Sequence, residues 1–497
     1  IRSDQTYYIP GTSSEWAPYY PVFTSTDLVN WQQTGHVFDE KPEWTKSSFW
    51  APEWYQHKGK VYVYYTARKQ SDNISCIGVA VADSPTGKFK DYGPVVEFGK
   101  EAIDAFILED KGKLYISWKA YGLDNQPIEL LACKLTDDGL RLDGKPFSLL
   151  RDDERQGMEG QHWFKKDGYY YISIPEGGVG TGWQTVMRSK NIYGPYEQKR
   201  VLEMGSTKVN GPHQGALVDT PEGEWWFYHF QSTEPQGRVV HLQPVTWKDG
   251  FPEMGTDYDK NGIGEPMKVC RKPSTGVETK AYAPQASDDF EAKELGLQWQ
   301  FNHNPHDEYW SLTEKPGWLA IKSQKAEKLR TAFNQFTQKT MGYKGVVTVK
   351  IDFAQLTPGG RAGIECIGNK FVGGGIIMED KDGTATPRLY METDGLCGVL
   401  TSDLRPYAWE LPSLLRAVGA VSHADLLDAF YTDNSIDPRE TDAFLLRNDL
   451  NHDYAAQEAR YPYPDFNRAF SALPPLLPLL AAYARSRVLG GGGAGLG

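Results

Sequence analysis

Four side chains in the first half of the chain stand at nearly regular intervals: Trp50, Asp104, Glu159 and His213. Two are carboxylates, and hydrolysis of a glycoside needs two. One, as an acid, protonates the leaving oxygen; the other activates water or attacks the anomeric carbon. The acid must keep its proton near neutral pH, so burial or a nearby like charge must raise its pKa. Glu159, within Gly157-Met158-Glu159-Gly160-Gln161-His162-Trp163, and Asp104, within Ala102-Ile103-Asp104-Ala105-Phe106, have the right types. A solitary loop carboxylate is ordinarily a solvated charge or a turn cap; the shared interval sets these two apart. His213 is a hydrogen-bonded core histidine, a sugar contact, or a direct or water-mediated ligand for a cation. Arg238 follows the last aromatic strand, and is either a surface charge or a donor to sugar hydroxyls and to the carboxylates. Trp50 either packs in the core or stacks on a sugar ring.

The elements that must position these residues announce themselves by a cadence. A charged residue followed by glycine precedes an aromatic-rich strand four times: Lys58-Gly59, Lys111-Gly112, Asp167-Gly168 and Glu222-Gly223, with a weaker copy at Asp4-Gln5. A fixed period of this size means stacked equivalent units. The runs alternate apolar and polar residues, are rich in Tyr, Trp, Val and Ile, and end at Gly, Asp, Asn or Pro. Five units of four short strands predict a five-bladed β-propeller over residues 1–270. Equivalent positions of a closed ring converge on its axis, which would bring the carboxylates and the histidine together.

Residues 271–287, rich in Pro, Ser and Lys, read as a linker. Residues 288–397 read as a second all-β unit, a concanavalin-like sandwich cut short near Cys397. From 398 the composition changes: no lysine follows Lys381, and Ala, Leu, Arg and Pro become frequent. Residues 398–497 read as a helical segment of a different kind, joined by fusion or frameshift, with a Gly-rich flexible end. A net charge of −12 over 497 residues argues against nucleic acid and anionic membrane surfaces as partners. No apolar run reaches the length of a membrane span, and no signal peptide is visible. The five cysteines are scattered, with neither metal spacing nor a disulfide framework.

Over residues 1 to about 395 the chain resembles glycoside hydrolase family 43. The motifs that carry the resemblance are Phe49-Trp50-Ala51-Pro52-Glu53, Ile103-Asp104-Ala105-Phe106, Glu159-Gly160-Gln161-His162, Gly211-Pro212-His213-Gln214-Gly215, and Gly237-Arg238 through His241 to Trp247. Leu295 to Gln300 and Asn304-Pro305 resemble the start of that family's C-terminal sandwich in its xylosidase and arabinofuranosidase branch. The resemblance implies an inverting, exo-acting hydrolase on a five-bladed propeller. It implies Glu159 as general acid, Asp104 as the residue that raises and orients it, His213 and Arg238 lining the sugar site, and Trp50 bordering the glycone pocket. In some members the axial histidine helps to hold calcium; no cofactor is otherwise implied. The family's base, an Asp in an Asp-Pro motif, would precede Ile1, and Asp4 fits a turn instead. The expected substrates are xylo- or arabinoxylo-oligosaccharides, cut at the non-reducing end as xylan 1,4-β-xylosidases do. The alternatives are an α-L-arabinofuranosidase, or a carbohydrate-binding protein without turnover. A fructan-acting relative would need its acid at a Glu-Cys motif, and Glu365-Cys366 falls in the second unit.

Overall fold

The computed structural model describes residues 1–97, 100–121, 128–151, 157–233, 237–277, 281–327, 329, 332, 335–340, 347–368, 371–393 and 396–399. Five antiparallel four-stranded sheets follow one another along the chain. Blade 1 comprises Arg2–Ser3, Thr6–Pro10, Tyr19–Ser25 and Gln32–Phe38; blade 2 comprises Thr45–His57, Lys60–Lys69, Ser75–Ala82 and Lys90–Val96. Blade 3 comprises Glu101–Asp110, Lys113–Tyr121, Glu129–Lys134 and Phe147–Arg151. Blade 4 comprises His162–Lys166, Tyr169–Glu176, Trp183–Ser189 and Glu197–Leu202; blade 5 comprises His213–Asp219, Trp225–Thr233, Gly237–Lys248 and Phe251–Met254. The fold is the five-bladed propeller expected from the cadence.

Three of the repeated turns are two-residue hairpins with both central residues left-handed: Lys58-Gly59, Lys111-Gly112 and Asp167-Gly168. That backbone matches the twist of the flanking strands. The fourth differs. Pro221, at the position before the turn, has no N–H for the closing strand pair, so the loop is closed one residue earlier by Thr220, whose N–H donates to the Glu224 carbonyl and whose carbonyl accepts the Gly223 N–H, both at 2.9 Å. Asp4, with φ 54°, is the exposed turn residue of blade 1, as its place in the repeat requires.

The sequence suggests apolar–polar alternation, but the second and third strands of blade 2 are buried on both faces. Lys60–Lys69 and Ser75–Ala82 are almost wholly buried. Successive side chains point to opposite faces of a strand, and in a propeller each face meets a neighbouring blade. Val61, Val63 and Tyr65 therefore join a core with Tyr20 and Phe38 of blade 1 and Phe49 of their own blade. Tyr62 and Tyr64 join Ile107 and Trp118 of blade 3. Further cores lie between blades 3 and 4, around Met158 and Trp163, and between blades 4 and 5, around Tyr171 and Phe227. Blade 5 meets blade 1 through the Tyr7 hydroxyl on the Asp219 carbonyl at 3.2 Å, and through Trp31 edge-on to Tyr228.

By contacts the chain separates into units at Lys339 and Thr340. Within the first, Gln300–Asn302 pairs with Trp16–Ala17 on one side and Phe336–Thr337 on the other. A strand early in the region expected to form the sandwich from 288 thus pairs with a segment of blade 1's connection. In the second unit, Arg361–Ile367, Phe371–Lys381, Thr384–Thr393 and Leu396–Val399 form one antiparallel sheet. Glu365-Cys366 lies in its first strand. The helices expected beyond 398 fall at 400–497, outside the described residues. The described residues contain no α-helix, and no helix among them is long and apolar enough to cross a membrane.

Gly215 shows how tightly the inner strand of blade 5 is fitted. A methyl group there would be driven into the Tyr228 carbonyl and would meet the Phe227 ring at 3.0 Å. Gly215→Ala is expected to cost about 1–3 kcal/mol through overpacking. A thermal melt of the variant checks this, and an unchanged midpoint would contradict the close approach.

Candidate active site

The inner strands are irregular at one recurring point. Ser48, Asp104, Gly160 and Gln214 all have left-handed backbones, with φ of 64°, 57°, 55° and 39°. They lie 56, 56 and 54 residues apart. Strand pairing slips at three of them, between Ser47 and Trp50, Ile103 and Phe106, and His213 and Gly215. Bulges of this kind re-aim side chains and are over-represented beside active sites. The sequence cadence aligned Asp104 with Glu159 and His213. The backbone aligns Asp104 with the residue after each of them. This one-residue offset makes Asp104 the left-handed residue itself, while Glu159 and His213 each immediately precede one.

Three of the five residues singled out by the sequence converge. The Gly160 N–H donates to Asp104 Oδ2 at 2.9 Å, which fixes the peptide following Glu159 on the Asp104 carboxylate. His213 Nε2 lies 2.8 Å from Glu159 Oε1. Lys119 Nζ donates to Glu159 Oε2 at 2.9 Å. Both carboxylate oxygens of Glu159 are therefore engaged. Asp104 and His213 are buried, whereas the Glu159 side chain retains 24% of its exposure and is the accessible member of the group.

Arg238 acts on this cluster at longer range. Its guanidinium lies over the Phe230 ring at 4.7 Å, Phe230 packs on His213, and its charge is felt at Asp104. Trp50 makes no direct contact with the carboxylates. It pairs across the strand with Thr66, whose Oγ1 accepts the Asp104 N–H at 3.1 Å. The Arg68 guanidinium sits 5.7 Å from the centre of the Trp50 ring and is anchored by Glu101 at 2.9 Å.

The electrostatics reverse one expectation. Asp104 is meant to raise the pKa of Glu159; in the folded chain the effect appears at Asp104. Burial, and then the charge of Glu159, push Asp104 up to about 6. Burial alone would raise Glu159 too. The hydrogen bond from His213 and the adjacent Lys119 ammonium outweigh it and hold Glu159 at about 2. His213 and Lys119 act together here, and the cadence could not reveal Lys119 because it lies on the second strand of blade 3.

Lys119 does have a signal in hindsight. It interrupts the apolar strand Leu114-Tyr115-Ile116-Ser117-Trp118-Lys119-Ala120 and is buried, and a lysine is almost never fully buried without a partner. Gln161 is a second omission. Its amide donates to the Asp104 carbonyl at 2.7 Å and to the Ser117 hydroxyl at 3.2 Å, bracing the bulge. A third is Glu53, in the same motif as Trp50, whose carboxyl burial pushes up to about 8.

The family resemblance suggested calcium as a possible ion near His213. Calcium takes six to eight oxygen ligands. Among the described residues no three Asp, Glu, His or Cys side chains come together in a way that could hold a metal. His213 offers one buried ring nitrogen, Nδ1, with no protein partner. One imidazole nitrogen would supply at most a single member of such a set, so no step is routed through calcium.

Comparison with known proteins supplies the family. Residues 1–252 match the model of glycosyl hydrolases family 43, and residues 287–402 match the β-xylosidase C-terminal concanavalin A-like domain. A relative from Xylanibacter ruminicola that bears the name β-xylosidase is 40% identical over 72% of this chain and 67% of its own length. A β-xylosidase from Formosa agariphila is 35% identical over 64% of this chain and 59% of its own. This chain thus spans about six to seven tenths of the length of these relatives. A crystal structure of a variant family 43 protein from Bacillus licheniformis is 26% identical over 80% of each chain, with a TM-score of 0.66. The propeller, the axial carboxylate pair and these matches lead to one assignment: the chain belongs to glycoside hydrolase family 43.

Proposed function

We propose that this chain is an inverting exo-glycosidase that releases xylose from the non-reducing ends of xylo-oligosaccharides. The observation that carries the reading is the convergence of Glu159, Asp104 and His213 at the inner ends of three consecutive blades. Glu159, the partly exposed carboxyl, donates the proton to the glycosidic oxygen as the bond to the anomeric carbon breaks. Water attacks that carbon from the opposite face and gives its proton to a general base. Acid and base stand about 6.5–9.5 Å apart in such a mechanism. No described carboxylate is given the base's role; Asp4 is excluded by its place at an exposed turn.

Asp104 fixes the peptide beyond Glu159 and repels a second negative charge beside it. Arg238 offers donors to sugar hydroxyls, His213 is enclosed and acts through Glu159, and Trp50 offers one indole face while Arg68 covers part of the other. The net charge of −12 suits a neutral sugar substrate and disfavours polyanions.

The test is hydrolysis of aryl β-xylopyranoside against aryl α-arabinofuranoside, by this chain and by a version extended upstream. Faster cleavage of the xyloside is expected. Faster cleavage of the arabinofuranoside would move the assignment to an α-L-arabinofuranosidase. Binding of xylo-oligosaccharides with neither substrate cut would leave a carbohydrate-binding protein.

A further inference from the structure

We infer that Lys119 decides which carboxyl of the Asp104–Glu159 pair carries the proton: it clamps Glu159 in the free protein and releases it when a substrate hydroxyl takes up the ammonium. The inference rests on the reading of Glu159 as the acid, and adds a positioning residue to it.

A general acid must present a proton on one oxygen towards the leaving group. In the free protein neither oxygen of Glu159 is open, because His213 holds Oε1 and Lys119 holds Oε2. The two partners differ in what they can do next. His213 is fully enclosed and packs on Phe230, so its ring cannot withdraw. Lys119 sits on a four-carbon stem with rotatable donors. Its ammonium lies 5.2 Å from the centre of the Tyr121 ring, two residues along the same strand. Beyond that ring the Glu101–Arg68 pair leads towards Trp50, the proposed sugar wall. The ammonium can therefore leave Oε2 for a hydroxyl without losing all its electrostatic support.

The groups that face the pair are Lys119 on the second strand of blade 3, His213 on the first strand of blade 5, and Arg238 on its third strand. Two close carboxyls do not ionise independently, and an opposite charge placed on one sends the proton to the other. With the clamp on, Glu159 is the carboxylate and Asp104 the acid. With the clamp off, Glu159 loses its nearest cation, and the partly exposed carboxyl becomes able to take the proton. No proton is created or lost overall; one proton changes carboxyl by exchange with solvent.

The experiment is a titration by carboxyl-carbon NMR of the whole chain labelled at glutamate, with Glu159→Gln to identify the signal. In the unsubstituted protein Glu159 should stay ionised down to the acid edge of the folded state. In Lys119→Met its midpoint should rise by about 1–3 pH units, the size of a removed opposite charge. Lys119→Arg, which keeps the cation, should stay close to the unsubstituted protein and serves as the second variant if the methionine form folds poorly. Saturating sulfur-linked xylobiose, whose thioglycosidic bond resists hydrolysis, should raise the Glu159 midpoint in the unsubstituted protein and leave Lys119→Met unmoved. An equal midpoint in Lys119→Met and the unsubstituted protein overturns the inference, as does a midpoint unmoved by the bound sulfur-linked sugar. If calorimetry finds no binding of that sugar, the substrate reading has failed instead, and the Lys119→Met titration alone decides the clamp.

Discussion

Glu159→Gln is expected to slow hydrolysis of alkyl or weakly activated β-xylosides by about 10²–10⁴-fold, the usual contribution of acid catalysis. A dinitrophenyl xyloside should lose far less, because its leaving group departs as a stable anion without a proton. The contrast matters more than either rate. Glutamine keeps the shape of Glu159 and can still meet Lys119 and His213, which hold the side chain at 2.9 and 2.8 Å. A purely structural role for Glu159 would slow both substrates alike. Steady-state kinetics with the two leaving groups separate the cases, and equal losses would remove Glu159 from the acid's position.

Asp104→Asn should give the second large effect, and it acts on stability and activity in opposite senses. Asp104 is buried, and its folded pKa is raised from 3.8 to about 6. A carboxyl raised in this way contributes stability that is complete below the unfolded value and is lost as pH rises through the folded one. The unsubstituted protein should therefore lose up to about 3 kcal/mol relative to Asp104→Asn between pH 4 and 7, two pH units being worth roughly that much. Asparagine can still accept the Gly160 N–H through its side-chain oxygen, so the bulge survives. The variant also removes the negative charge that favours a proton on Glu159. Turnover should fall by about tenfold for each pH unit by which the acid's proton affinity drops. Unfolding midpoints across this range, beside kcat for a weakly activated xyloside, check both halves. Parallel stability curves for the two proteins would show that Asp104 does not titrate there.

Much of the fold was legible because propeller hairpins repeat a local chemistry. A charged residue and a glycine make a two-residue turn in the required backbone at Lys58-Gly59, Lys111-Gly112 and Asp167-Gly168, and local chemistry is written in local sequence. Where Pro221 intervened, the same cadence led to a different turn. The burial of Tyr62 to Tyr65 on both faces was less legible. A strand between two blades and a strand with one wet face both tolerate aromatic residues, and period alone does not separate them. The pairing partner of the region after 288 was not legible for a related reason. Gln300–Asn302 reads as a strand but pairs with Trp16–Ala17, some 285 residues earlier, and nothing local specifies a partner so distant.

The sequence by itself determined the number of blades and the choice of Asp104, Glu159 and His213 among many polar residues. Both follow from a period, and a period survives in one dimension. Only the tertiary structure decided where the charges lie. It brought Lys119 from the middle of an inner strand onto Glu159, offset Asp104 by one residue from its apparent equivalents, and put the raised pKa on Asp104 instead of Glu159. Electrostatic energy depends on distance through space and on the water excluded from between the groups. Those quantities exist only once five blades have closed around a common axis.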